Sequence, residues 1–133
     1  MSNPLVHAER SAKKWGGQPS DYLHVHQWFD ATKGHVSDSR HRMVLHNGFG
    51  ILLAEQVFGP AVTAAAGRRV FVRDLGVQHV LEDLGFVPTL AECLAGLPLA
   101  PWMAGGCRAS LSASQYVNCK GAVNDARSVC EAG

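Results

Sequence analysis

The chain carries seven histidines, and five of them, His24, His26, His35, His41 and His46, fall within 23 residues, with His7 and His79 outside that stretch. Neutral imidazole is a common ligand for zinc and other first-row metals, so clustering at this density points first to metal binding. Spacing narrows the set. His26 and Asp30 are four residues apart, which puts both side chains on one face of a helix, and His79 and Asp83 repeat the spacing. These two pairs, joined by one of His41 or His46, make a ligand set for one or two divalent ions able to activate water. On one continuous helix His41 and His46 would point about 140° apart, so only one of them is expected at a shared site. Arg42 and His46 are four apart and suit an anion held between a guanidinium and an imidazole, with Lys33 as a second cation for that task. The plainer reading of each His-x-x-x-Asp pair is a local hydrogen bond or half-exposed ion pair contributing roughly 0.2–0.5 kcal/mol.

The elements that must hold these residues read as helices with one hairpin. Asn3 before Pro4 gives a cap and a first-turn proline, and Gly16-Gly17 ends that helix. Ser20 is the expected cap of a second helix, Asp21 to Lys33, stopped by Gly34. Ser37 is the expected cap of a third, Asp38 to Phe58, stopped by Gly59-Pro60. Gly48 and Gly50 inside this third helix cost about 1 kcal/mol each relative to alanine, which suggests close approach of another group. A hairpin is expected between about Val62 and Val72, turning at Ala66-Gly67. Two further helices follow, about Val77 to Leu84 and Thr89 to Leu97, the latter opened by a Thr89/Glu92 capping box. The expected fold is mainly α, a compact bundle of about four to five helices with one short β-hairpin. Trp15, Trp28 and Trp102 read as core or interface anchors.

Composition bounds the function. The chain has 133 residues, 47% of them hydrophobic, enough for one domain with a small core, expected over 1–105. Segment 106–133 is rich in Gly, Ala and Ser, holds three of the four cysteines, and is expected to be a peripheral or flexible tail with one short helix near Val123 to Cys130. Cys93, Cys107, Cys119 and Cys130 are too widely spaced for zinc knuckles and read as free thiols. A net charge of +1, with 12 basic residues scattered among 11 acidic ones, argues against a nucleic-acid partner. No stretch approaches the roughly 20 apolar residues that cross a bilayer, and the opening MSNPLVHAERSAKKWGG has no apolar leader segment, so a cytoplasmic protein with no membrane partner is expected.

Several motifs in order, HVHQWFDATK around His26 to Lys33, RHRMVLHNGFGI at Arg40 to Ile51, AEQVFG at Ala54 to Gly59, QHVLEDLGFVPT at Gln78 to Thr89, and LPLAPWMAG ending at Gly105, resemble a family of short uncharacterised proteins of bacteria and their phages. The resemblance covers about residues 2 to 105. It implies that His7, His26, Asp30, His41, His46, His79, Glu82 and Asp83 are motif positions and assigns them no activity. The chain departs from the family pattern at Gly76-Val77, where a glutamate is expected beside Gln78, and in its cysteine-bearing tail.

Two readings of function follow. The one the sequence favours is a non-catalytic accessory or interaction module of bacterial or mobile-element origin, whose histidines and carboxylates form a buried network fixing how the helices meet. The alternative is a divalent-metal-dependent hydrolase acting on a phosphoester. Its metal ligands would come from His26, His41, His46, His79 and Asp83, its catalytic groups from Asp30, Arg42 and Glu82, and its ion would be zinc, manganese or iron. A His-Asn-His nuclease, hinted at by His46-Asn47, lacks the preceding hairpin and a basic surface. A homodimer and a small anionic ligand are the remaining candidate partners.

Overall fold

The computed structural model describes residues 3–105, and the expectations for segment 106–133, its cysteines and its short helix lie outside the described residues. The chain divides into two units, 1–96 and 97–133. Of the second unit the described part contains a single 3-10 turn, Pro101–Ala104.

The first unit is mainly α with one two-stranded antiparallel hairpin. Helix α1 (Pro4–Trp15) begins as its sequence dictates: Asn3 Oδ1 accepts from Leu5 N at 3.1 Å and Pro4 fills the first turn. Helix α2 (Leu23–Phe29) is shorter than expected. Asp21 is occupied elsewhere, its Oδ2 accepting from the backbone N–H of Gln18 and of Ala65, so Pro19–Asp21 forms a 3-10 turn and the α-helix starts two residues later. At the other end Asp30 leaves helical geometry (φ −94°, ψ 3°), and 31–34 continue as another 3-10 turn.

The expected third helix is two helices. A 3-10 turn at Ser39–His41 runs into α3 (Arg42–Leu45), His46 takes φ −84°, ψ 57°, and Asn47 is fully extended before α4 (Gly48–Phe58). Asn47 clasps both ends of the break: its Oδ1 accepts from Gly50 N at 2.9 Å, and its Nδ2 donates to Met43 O at 3.0 Å and Val44 O at 3.2 Å. Gly50 is what lets the corner close, since a Cβ there would stand 1.9 Å from the Leu45 carbonyl oxygen. The helical-wheel angle between His41 and His46 therefore does not apply, and His46 sits at the corner itself.

Strands β1 (Ala61–Thr63) and β2 (Arg69–Phe71) pair with Val62 opposite Val70, and the turn carries Ala66 and Gly67 at positive φ. Helix α5 (Val72–Leu84) follows β2 directly, five residues earlier than its apolar pattern suggests, because no capping side chain marks its start. Helix α6 (Leu90–Leu94) has the expected Thr89/Glu92 capping box and ends three residues short of Leu97.

Helix α5 lies centrally, packed on α4, α2 and α1. Tyr22, Val25, Phe29, Val72, Leu75 and Val80 are fully buried between them, each large side chain contributing about 1.5–3 kcal/mol. Gly76 permits the closest approach: a Cβ would meet Phe29 Cζ at 2.9 Å and Ile51 Cγ1 at 3.2 Å. Trp28 packs edge-on against Phe29 and Phe58, and Trp15 lies against Tyr22.

Candidate metal centre

Beside this apolar core lies a second, polar one. His7, Ser11, His26, His46, Asn47 and His79 are completely buried, and Asp30, His41 and Gln78 nearly so. The helix ends and corners deliver them. Helix α1 presents His7 and Ser11 one turn apart, α2 supplies His26 with Asp30 at its C-terminal cap, the α3–α4 corner supplies His46, and α5 supplies Gln78, His79, Glu82 and Asp83 over two turns.

Asp30, His46, His79 and Asp83 converge, each offering one ligand atom, with all four atoms within 4.8 Å of one another. His46 Nε2 stands 3.0 Å from Asp83 Oδ2, 3.1 Å from His79 Nε2 and 3.6 Å from Asp30 Oδ1; His79 Nε2 stands 3.5 Å from Asp83 Oδ2 and 3.6 Å from Asp30 Oδ1. A tetrahedral ion with bonds of about 2.1 Å to nitrogen and oxygen separates its ligands by about 3.4 Å. The group is therefore already at coordination spacing and can hold a metal ion. Phe29 stacks on His79 at 5.1 Å between centroids and closes the apolar side.

The hydrogen-bond network behind the group fixes which nitrogen faces it. Burial raises the Glu82 carboxyl, but bonds from Gln78, His7 and Arg10 outweigh it and hold the group ionised. A carboxylate only accepts, so Gln78 must turn its Nε2 toward Glu82 Oε1 (2.7 Å) and His7 O (3.3 Å), leaving its Oε1 facing Ser11. Ser11 donates its one proton to Gln78 Oε1 at 2.8 Å or to the His7 carbonyl at 3.0 Å, so its Oγ accepts from His26 Nε2–H at 2.8 Å. His26 Nδ1 then carries a lone pair and accepts from His79 Nδ1–H at 3.0 Å. The chain ends by orienting His79 Nε2 into the carboxylate group, the orientation that a metal-bound imidazole needs.

Charge is arranged consistently. Burial pushes His26 down to about 3, helped by His79 and His7 alongside. His46 is lowered by burial, only partly offset by Asp83. Burial also works against a charged His79, but Asp30 and Asp83 outweigh it and raise its pKa. Burial raises Asp83, yet His46, His7 and His79 bring it far below the usual carboxylate range; Asp30 is lowered in the same way by His79 and Lys33, whose Nζ is 3.0 Å from Asp30 Oδ2. Several buried atoms find no hydrogen bond: Asp30 Oδ1, His7 Nε2, His41 Nε2, His46 Nδ1 and Arg42 Nε.

Not every residue expected at a site joins this group. His26 stands behind His79 as its hydrogen-bond acceptor. His41 donates Nδ1–H to Asp38 O at 2.7 Å, and its ring centroid is 6.1 Å from that of His46, outside the four-ligand set. Arg42 reaches Asp83, with Nη2 3.8 Å from Oδ1, so the anion between Arg42 and His46 is the protein's own Asp83 carboxylate. Arg40 pairs with Asp38 at 2.7 Å. Glu82 faces His7: Nδ1–H donates to Glu82 Oε2 at 2.5 Å, and His7 Nε2 points to Asp83 Oδ1 at 3.4 Å. Sequence reasoning assigned no role to His7, Ser11 or Gln78. The signal was present in the four-residue steps His7/Ser11 and Gln78/Glu82, which put each pair on one helix face.

Residues 2–103 match the family model described as a domain of unknown function, DUF6915. The chain belongs to that family. No curated protein and no solved structure matches it. Among the described residues no helix is long and apolar enough to cross a membrane.

Proposed function

We propose that this DUF6915 protein binds one divalent transition-metal ion through Asp30, His46, His79 and Asp83, and that the ion serves hydrolysis of a phosphoester. The observation that carries the reading is the spacing of the four ligand atoms, 3.0–3.6 Å over the five pairs measured above, brought together from three separate segments. A mixed His/Asp set suits zinc, manganese or iron.

The unpaired atoms weigh against the group being only a closed polar network. A network that specifies packing is stable when every member is satisfied, and a buried group left unpaired costs about 1–3 kcal/mol. Here Asp30 Oδ1 and His7 Nε2 make no well-formed hydrogen bond, their nearest partners being His46 and His79 Nε2 at 3.6 Å and Asp83 Oδ1 at 3.4 Å. An ion takes up the first of these and neutralises both carboxylates. Chemistry beyond structural binding is favoured by the neighbours. His7, held through Nδ1 by Glu82, presents Nε2 to Asp83 Oδ1 at 3.4 Å, the placement of a general base for water taken as a fifth ligand, and Arg42 Nη2 stands 3.8 Å from the same oxygen as a cation for a phosphoryl group.

The test is elemental analysis of tag-free protein together with a phosphoester hydrolysis assay on wild type, His79→Ala and His7→Gln. The reading expects stoichiometric metal in wild type and His7→Gln, none in His79→Ala, and hydrolysis in wild type alone. Bound metal without hydrolysis of any phosphoester leaves the accessory-module reading in its place.

A further inference from the structure

An open cleft of about 440 Å³ lies next to the centre, lined by Ser39, Arg42, Met43, Leu84, Phe86 and Pro88 among others. Arg42 belongs to both places. It lines the cleft, and its Nη2 stands 3.8 Å from Asp83 Oδ1. Its Nε is buried and makes no hydrogen bond. The acidic group of the wall, Glu92, is engaged: its Oε2 accepts from Thr89 N at 2.7 Å and from Thr89 Oγ1 at 3.1 Å. The cleft thus combines the exposed end of a guanidinium, whose Nε is buried beneath it, with a largely apolar wall, in a volume typical of small-molecule sites.

We propose that this cleft binds an organic phosphate monoester whose ester group is apolar. The phosphate head takes Arg42, and the ester group lies on Met43, Leu84, Phe86 and Pro88. A tetrahedral phosphate has oxygens enough to meet the guanidinium, the Ser39 hydroxyl and an ion at the neighbouring centre together, which a carboxylate with two oxygens does not. The proposal rests on the metal reading for that last contact only.

Calorimetric titration with phenyl phosphate and with inorganic phosphate, on protein whose metal content is measured in the same sample, tests it. Wild type is expected to bind phenyl phosphate about tenfold more tightly than inorganic phosphate, a difference of about 1.4 kcal/mol. Phe86→Ala, at an exposed position where folding is not at stake, narrows that difference, and Arg42→Met loses both ligands while keeping its metal. Equal affinity for the two phosphates, or binding that survives Arg42→Met, overturns the proposal. Metal-loaded protein that binds neither phosphate removes the cleft and leaves the metal reading standing. Metal-free protein that binds phenyl phosphate through Arg42 removes the metal reading and leaves the cleft.

Discussion

The α3–α4 corner makes a quantitative prediction from one glycine. An alanine Cβ at position 50 would lie 1.9 Å from Leu45 O, 2.5 Å from Leu45 C and 2.7 Å from Leu45 Cα, all backbone atoms, while ordinary contact begins at 3.4 Å. The corner must open by about 1.5 Å, and close-packed interiors do not yield by that much without loss elsewhere. Gly50→Ala therefore falls at or beyond the top of the overpacking range, about 3 kcal/mol, which for a unit of this size lowers Tm by about 12–24 °C. Gly76→Ala meets Phe29 Cζ at 2.9 Å and Ile51 Cγ1 and Cγ2 at 3.2 and 3.3 Å, side-chain atoms that must shift by about 0.1–0.5 Å, so its cost is at the low end of the overpacking range, about 1 kcal/mol. Gly48→Ala meets only Pro88 O at 4.0 Å and, at the first position of α4 and not in its interior, leaves stability nearly unchanged. Thermal unfolding followed by far-UV circular dichroism ranks the three variants. His46 follows Leu45, so any Gly50→Ala protein that folds also binds metal more weakly. A Gly50→Ala protein melting within about 3 °C of wild type, with metal binding intact, would refute the account of the corner.

Other perturbations test neighbouring links. Asn47→Ala removes the α4 cap and both bonds to the end of α3, and is expected to cost about 2 kcal/mol in chemical denaturation while weakening metal binding. Ser11→Ala removes the acceptor for His26 Nε2–H and so the support behind His79; metal affinity by chelator competition should fall roughly 10–100-fold although Ser11 touches no ligand atom of the ion. The pH dependence has a definite sign. Because the metal-free His79 pKa is raised above 6.5, its proton stabilises the metal-free fold below pH 6.5 and that contribution is lost as pH rises through the raised value. Metal must displace the same proton, so affinity should climb with pH throughout the range below the raised value and level off above it, with proton release in calorimetry; a flat profile contradicts this.

How much the sequence revealed depended on whether a signal was local. Caps declared themselves, as at Asn3-Pro4 and Thr89/Glu92, because side chain and partner lie within three residues. The two His-x-x-x-Asp pairs contain three of the four converging residues, Asp30, His79 and Asp83, since helical spacing alone aligns each pair. That His26 stands behind His79 while His46 joins the converging group was not legible. It depends on the break at His46-Asn47, which an apolar run from Val44 to Phe58 conceals, although Asn47 ahead of Gly48-Phe49-Gly50 is a capping residue in front of poor helix formers. His7 was hidden for a different reason. Its partners, Glu82 and Asp83, are 75 and 76 residues away, and only the packing of α1 on α5 brings them together.

The central claim is most directly tested by crystals of protein loaded with zinc or manganese, using an anomalous difference map collected at the metal edge. The account predicts one strong peak per chain, at about 2.0–2.2 Å from Asp30 Oδ1, His46 Nε2, His79 Nε2 and an Asp83 carboxylate oxygen, with His26 Nδ1 still bonded to His79 Nδ1 behind it. A map with no peak among these four atoms, or with the ion bound elsewhere on the chain, would contradict it.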